Sequence, residues 1–224
     1  MEICLERDEA GKKVLTVVRI IYVITGIVLT VLGFIHHSSY EIITSAGTVI
    51  LLPGLYLLRR IFKCRGGWLL EAYLYIYTYL SWMLGGAAQL YTYLPHYDKF
   101  VHCVSGFFVS AVALTLYRML ERRHSRDGEN PATESIFVFS ASMAVAGLFE
   151  LCEYALAPIM HRDFQHVLDS GVTDTMMDMF VCLIGTLISM ILIIRSHKGK
   201  HNFITDAADA FVLQNPASDK KSGD

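Results

Sequence analysis

The sequence predicts an all-α membrane protein, a polytopic bundle of six transmembrane helices with both termini cytoplasmic. Three observations lead there. First, its 224 residues are 54% hydrophobic and only 18% charged, with a mean hydropathy of +0.43; a soluble domain carries about 25% charged residues. Second, the apolar residues gather in long runs, near 14–35, 42–58, 68–94, 100–120, 135–157 and 174–195. About 20 apolar residues cross the hydrocarbon core, within a range of about 17–25, and the second run sits at the lower end. Third, the basic residues alternate between connections. Arg7, Lys12 and Lys13 precede the first run, and Arg59, Arg60, Lys63 and Arg65 separate the second from the third. Arg118, Arg122, Arg123 and Arg126 follow the fourth, and Arg195, Lys198 and Lys200 follow the sixth. The remaining connections hold only Lys99 and Arg162. Basic loops stay in the cytoplasm, so the even number of spans and the charge bias agree.

Residues 1–13 form a cytoplasmic arm. The first span lacks a small-residue cleavage site and reads as a retained helix. Arg19, one turn inside it, is expected to snorkel to the interface. His36 and His37 end it outside. Pro53–Gly54 predicts a kink in the second span. Gly66–Gly67 open the third span, whose alternating run from Glu71 to Tyr79 looks strand-like. A lone strand would leave its backbone groups unpaired in lipid, so the run is read as helix. Asp127–Gly128 and Asn130–Pro131 mark turns in a cytoplasmic loop over 121–134. Residues 158–172 form the longest external loop. The tail over 196–224 is polar and expected to be disordered, with a short helix near 204–214. Cys4 and Cys64 fall on the cytoplasmic side and Cys103, Cys152 and Cys182 within spans, which is no disulfide framework. No zinc-type CxxC pair or nucleic-acid signature is present, and topology accounts for the basic loops.

Inside the last three spans lie three ionisable pairs: Asp98 with His102, Glu150 with Glu153, and Asp174 with Asp178. Spacings of three and four residues put each pair on one helix face. A charge at the bilayer centre costs about 2.5–3.5 kcal/mol on insertion scales, which makes such residues functional candidates. Counted from the outer ends at 1.5 Å per residue, His102 and Glu153 lie roughly 6 Å deep, Asp178 roughly 6–8 Å and Glu150 roughly 10 Å. All three helices therefore offer polar groups at one level of the outer leaflet. Small residues continue the same faces: Gly106, Ser110 and Ala113 in the fourth span; Ala144 and Gly147 in the fifth; Cys182, Gly185 and Ser189 in the sixth. Such stripes allow close packing of membrane helices.

Several carboxylates and an imidazole at low dielectric need neutralising. A divalent metal is one solution: Mg²⁺, Mn²⁺ or Ca²⁺ suit carboxylates, and the histidine adds Zn²⁺ or Fe²⁺. On this reading Asp98, His102, Glu153 and Asp178 are metal ligands, and Glu150 and Asp174 serve as catalytic acid or base. A proton shared between carboxylates is the second solution, suited to coupled transport. The third is basic partners, for which Lys99, His161, Arg162 and His166 are near enough in sequence. Asp98 and Asp174 also sit where acidic residues favour helix starts. Gln89 is a candidate for the cavity wall. Ser105 and Ser110 lack a nucleophile elbow, and no Gly-rich phosphate loop or His-Glu-x-x-His motif occurs.

The run Tyr97-Asp-Lys-Phe-Val-His102-Cys-Val-Ser-Gly106 resembles the Tyr-Asp-Lys/Arg…His…Gly signature of YjdF-type inner-membrane proteins. Glu150-Leu-Cys-Glu153-Tyr resembles their Glu-x-x-Glu-aromatic segment, and Thr173-Asp-Thr-Met-Met-Asp178-Met-Phe…Gly185 their Asp-Thr-x-x-Asp-Met-Phe…Gly motif. The match covers roughly residues 95–190, and a fainter similarity runs to VanZ-like proteins. Tyr154-Ala-Leu-Ala and Leu168-Asp-Ser-Gly-Val depart from the family's Trp-rich stretch and Gly-Thr-Gln-Gly-Asp segment. The resemblance implies a polytopic membrane protein and groups the six ionisable residues into one site, without a substrate.

The sequence thus leads to a bacterial cytoplasmic-membrane protein with membrane lipids as partners. Its first functional reading is a metal-dependent enzyme acting on a lipid or lipid-phosphate. The alternative is a proton- or cation-coupled transporter or a lipid-headgroup binding protein. The scarcity of ionisable groups in the inner half disfavours a through-membrane proton path.

Overall fold

The computed structural model describes residues 2–62, 67–123, 130–161, 163–165 and 167–215. Among these the chain is helical, with no strand: α1 Glu2–Ile35, α2 Ser39–Phe62, α3 Trp68–Thr78, α4 Leu90–Tyr93, α5 Tyr97–Arg123, α6 Pro131–Met160, α7 Val167–Ser170, α8 Thr173–Ser196 and α9 Phe203–Gln214. A π-helical segment, Tyr79–Ala87, continues α3. Four stretches are long and apolar enough to cross a membrane among the described residues: Gly11–Ile35, Tyr97–Glu121, Pro131–Ile159 and Thr173–Ser196. They correspond to the first, fourth, fifth and sixth expected spans.

Polarity is arranged for lipid. Val14, Val17, Ile20, Ile21, Ile24 and Ile27 of α1 are all at least half exposed, whereas Ser45, Ser110, Ser142, Thr186 and Ser189 are wholly buried. The hydroxyls of Ser142 on α6 and Thr186 on α8 share a hydrogen bond of 2.7 Å. With lipid outside as apolar as any core, helices gain from small residues and interhelical hydrogen bonds instead. Gly106 and Gly185 supply the closest approach: a methyl group on Gly106 would lie 2.5 Å from the Cys182 carbonyl oxygen, and one on Gly185 would strike the Cys103 carbonyl. Gly147, in the corresponding stripe of α6, faces open space instead.

Ion pairs brace the bundle. Arg19 on α1, expected to snorkel to the interface, pairs with Glu71 on α3: its Nε donates at 2.9 Å, and its Nη2 donates to the same carboxylate. At the start of α6 Glu134, wholly buried on its first turn, accepts from Arg118 Nε and faces His197 Nε2, each at 2.7 Å. Arg118 also pairs with Asp209 on α9. That helix lies in the tail expected to be polar and disordered, around the short helix expected near 204–214. It is docked: Ile204, Ala207 and Ala208 are fully buried, and Asn202 caps it while donating to the Leu192 carbonyl. The sequence signal for order was the apolar stripe Ile204–Ala207–Ala208 at helical spacing.

The third expected span departs from a single α-helix over 68–94. Its regular pattern ends at Thr78, the π segment takes over, and Gln89 turns the chain in the left-handed region at φ 58°. Gly85 makes the geometry possible, because any β-carbon there would strike the ring of Tyr91 folded back over it. π-helical segments widen a helix locally and often mark functional sites.

A candidate acidic site beside an aromatic cavity

α5 and α8 run side by side in the same direction and cross closely at Gly106 and Gly185. Lys99 and Asp178 each stand seven residues, about two turns, before their glycine. They are therefore level, and they meet. Lys99 Nζ donates to Asp174 Oδ1 at 2.5 Å, to Asp178 Oδ2 at 2.8 Å and to Asp98 Oδ2 at 3.1 Å. The lysine, named from sequence only as one of several basic partners, is the centre of the cluster. His161 is the exposed left-handed residue that ends α6. Arg162 and His166 lie outside the described residues.

Two of the aspartates divide their oxygens. Oδ2 of Asp98 and of Asp178 faces Lys99, and Oδ1 of each faces His102, whose Nε2 is 3.4 Å from Asp98 and 3.9 Å from Asp178. Asp178 is deeply buried, and its Oδ1 has no hydrogen-bond partner among the described residues. One atom from each of Asp98, His102 and Asp178 fits within a 4.8 Å group, a spacing compatible with a metal ion.

Glu150 and Glu153 of α6 part company. Glu150 is buried and accepts from Gln165 Nε2 at 3.2 Å, while its carbonyl accepts from the same nitrogen at 3.1 Å. It holds the loop after α6 rather than joining the Lys99 cluster. Glu153 instead lines a cavity of about 560 Å³ together with Asp98 and His102. Aromatic rings dominate the rest of that wall: Tyr40 from α2, Tyr77 from α3, Trp82 from the π segment, Tyr91 from α4 and Phe149 from α6. The His102 ring stands edge-on to Phe149, with centroids 5.8 Å apart. Gln89 lines the cavity, as the sequence suggested, and donates to Glu41, which also meets His36. A smaller cavity of about 270 Å³ adjoins, sharing Tyr91, Thr92 and Asp98 and reached by Lys99 and Asp174.

Sequence reasoning missed the aromatic wall and Gln165. Tyrosines near the ends of a membrane helix ordinarily read as interfacial belts. The places of Trp82 and Tyr91 on the cavity wall depend on the π segment, which spacing alone does not reveal. Ser105 donates to the His102 carbonyl at 2.6 Å, and Cys182 is buried one turn beyond Asp178.

A family model described as "Predicted membrane protein (DUF2238)" matches residues 17–199. No curated protein and no solved structure matches the chain.

Proposed function

We propose that this chain, which belongs to the DUF2238 family of predicted membrane proteins, crosses a bacterial cytoplasmic membrane six times and binds an amphiphile in its outer half. The basic segments support both termini being cytoplasmic, and the YjdF-type motifs of residues 95–190 fit the same site. On this reading α2, and α3 with its π continuation, are the second and third spans. The observation that carries the function is the aromatic cavity of about 560 Å³ with Asp98, His102 and Glu153 on its wall. Its size is that of small-molecule sites, about 300–1,000 Å³. At this depth such a cavity admits an apolar stem from the lipid side and a polar end from the headgroup region. Native mass spectrometry of protein released from mild detergent tests this. One amphiphile per chain should survive activation that strips bulk lipid, and should disappear in Leu156→Trp, which fills the cavity. No retained adduct on the wild-type chain would refute the reading.

A second reading is metal-dependent chemistry on that amphiphile. The unpartnered Oδ1 of Asp178, facing His102 beside Asp98, favours it. A divalent ion there would act as a Lewis acid toward a phosphoryl or acyl oxygen. Asp98, His102 and Asp178 would hold the ion, with Glu153 on the adjoining cavity wall and Asp174 fixed to Lys99. Elemental analysis without chelator, beside His102→Ala/Asp178→Asn, tests it; about one equivalent lost in the variant is the expected result. No metal in either sample, after incubation with Zn²⁺, Mn²⁺ and Mg²⁺, would sink it.

A further inference from the structure

We propose that the polar end of the amphiphile is an organic cation, a methylated ammonium group on an apolar stem. This rests on the amphiphile reading of the cavity and adds the chemistry of the headgroup. Apart from His102, the ionisable acid–base groups on the wall besides the tyrosines are carboxylates: Asp98, Glu153 and Asp163. Neither lysine nor arginine lines it among the described residues. The nearest ammonium, Lys99, faces the adjoining smaller cavity and is shared by three aspartates. Among the described residues an anionic headgroup would therefore face carboxylates with no lysine or arginine on the wall.

Asp163 is already engaged, since its two oxygens accept from Val167 N and Leu168 N at 2.9 Å. Asp98 is shared between Lys99 and His102. Glu153 differs: its carboxylate makes no hydrogen bond or ion pair among the described residues, although it borders the cavity. A cation in the cavity would supply the missing charge. Cations are also drawn to ring faces, and the wall offers Tyr77, Trp82, Tyr91 and Phe149. A methylated ammonium suits this set better than a primary one. It needs few hydrogen-bond acceptors, loses less hydration, and spreads its charge over methyl groups that contact rings. Val101 and Leu156 continue the wall with apolar surface for the stem.

The test uses the full chain in maltoside detergent with a Trp68→Phe background, which leaves Trp82 as the sole tryptophan reporter. Four twelve-carbon probes are titrated below micelle formation: dodecyltrimethylammonium, dodecylphosphocholine, dodecanol and laurate. Saturable quenching by dodecyltrimethylammonium, at least tenfold tighter than dodecanol or laurate, is expected. Glu153→Gln should weaken that probe at least tenfold and leave dodecanol unchanged. Dodecylphosphocholine binding as tightly as dodecyltrimethylammonium would assign the cation to a choline lipid headgroup; tenfold weaker binding would assign it to a cation without phosphate. Equal binding of the cationic, neutral and anionic probes would overturn the cation inference and leave the amphiphile reading standing. Binding of none of the four would overturn both. The probe series on the Glu153-containing chain decides between these results even where Glu153→Gln does not fold.

Discussion

Replacing Lys99 by methionine removes the one ammonium that holds Asp98, Asp174 and Asp178 together. The size of the effect follows from how far each carboxylate is from solvent. The Asp178 side chain is 3% exposed, Asp174 16% and Asp98 32%. Breaking a buried pair from one side costs about 3–5 kcal/mol, because the remaining charge is stranded. Asp178 therefore carries most of the loss, and the more exposed pairs add at most about 1 kcal/mol each. A chain of this length shifts its melting midpoint by about 2–4 °C per kcal/mol, so Lys99→Met, losing about 3–7 kcal/mol in all, should melt about 6–28 °C below wild type in detergent. Asp178→Asn in the same background should recover part of that loss, since it removes the stranded charge. The double-mutant cycle should show coupling of about 1–3 kcal/mol. Lys99→Met melting within about 2 °C of wild type, or strict additivity, would refute the view that this ammonium neutralises the cluster.

Gly106→Ala should cost about 1–3 kcal/mol by overpacking the α5–α8 crossing, whereas Gly147→Ala, facing open space, should be neutral or slightly stabilising; thermal melts compare them directly. Glu134→Gln breaks the buried link from α6 to Arg118 and His197 and should cost about 3–5 kcal/mol, with limited proteolysis cutting before α9 far faster than in wild type. Cys64, kept as the sole cysteine, distinguishes six spans from four. It should resist a membrane-impermeant maleimide added from outside if α2 and the third span both cross, and rapid labelling would place that connection outside.

The legible parts of this chain are those in which one helix speaks for itself. Asp98 and His102, or Asp174 and Asp178, share a face whatever lies opposite, and the glycines at 106 and 185 advertise a close partner without naming it. Whether a partner exists is a property of two elements at once. Gly147 sits in an equally small-looking stripe yet meets nothing, while Gly106 and Gly185 meet each other. Glu150 and Glu153 share spacing, yet the first is taken by Gln165 from a loop that periodicity does not describe. The same limit explains Arg19 and Glu71, each ordinary as an interfacial residue until α1 and α3 are placed side by side. The π segment is a deeper omission. Its hydrogen-bond pattern shifts by one residue, so Trp82 and, beyond it, Tyr91 turn off the face a regular helix would give them, and Gly85–Gly86 is the local hint. A cavity built on that shift is invisible to any reading that assumes 3.6 residues per turn, whereas the charged residues on its opposite wall, set on regular helices, are not.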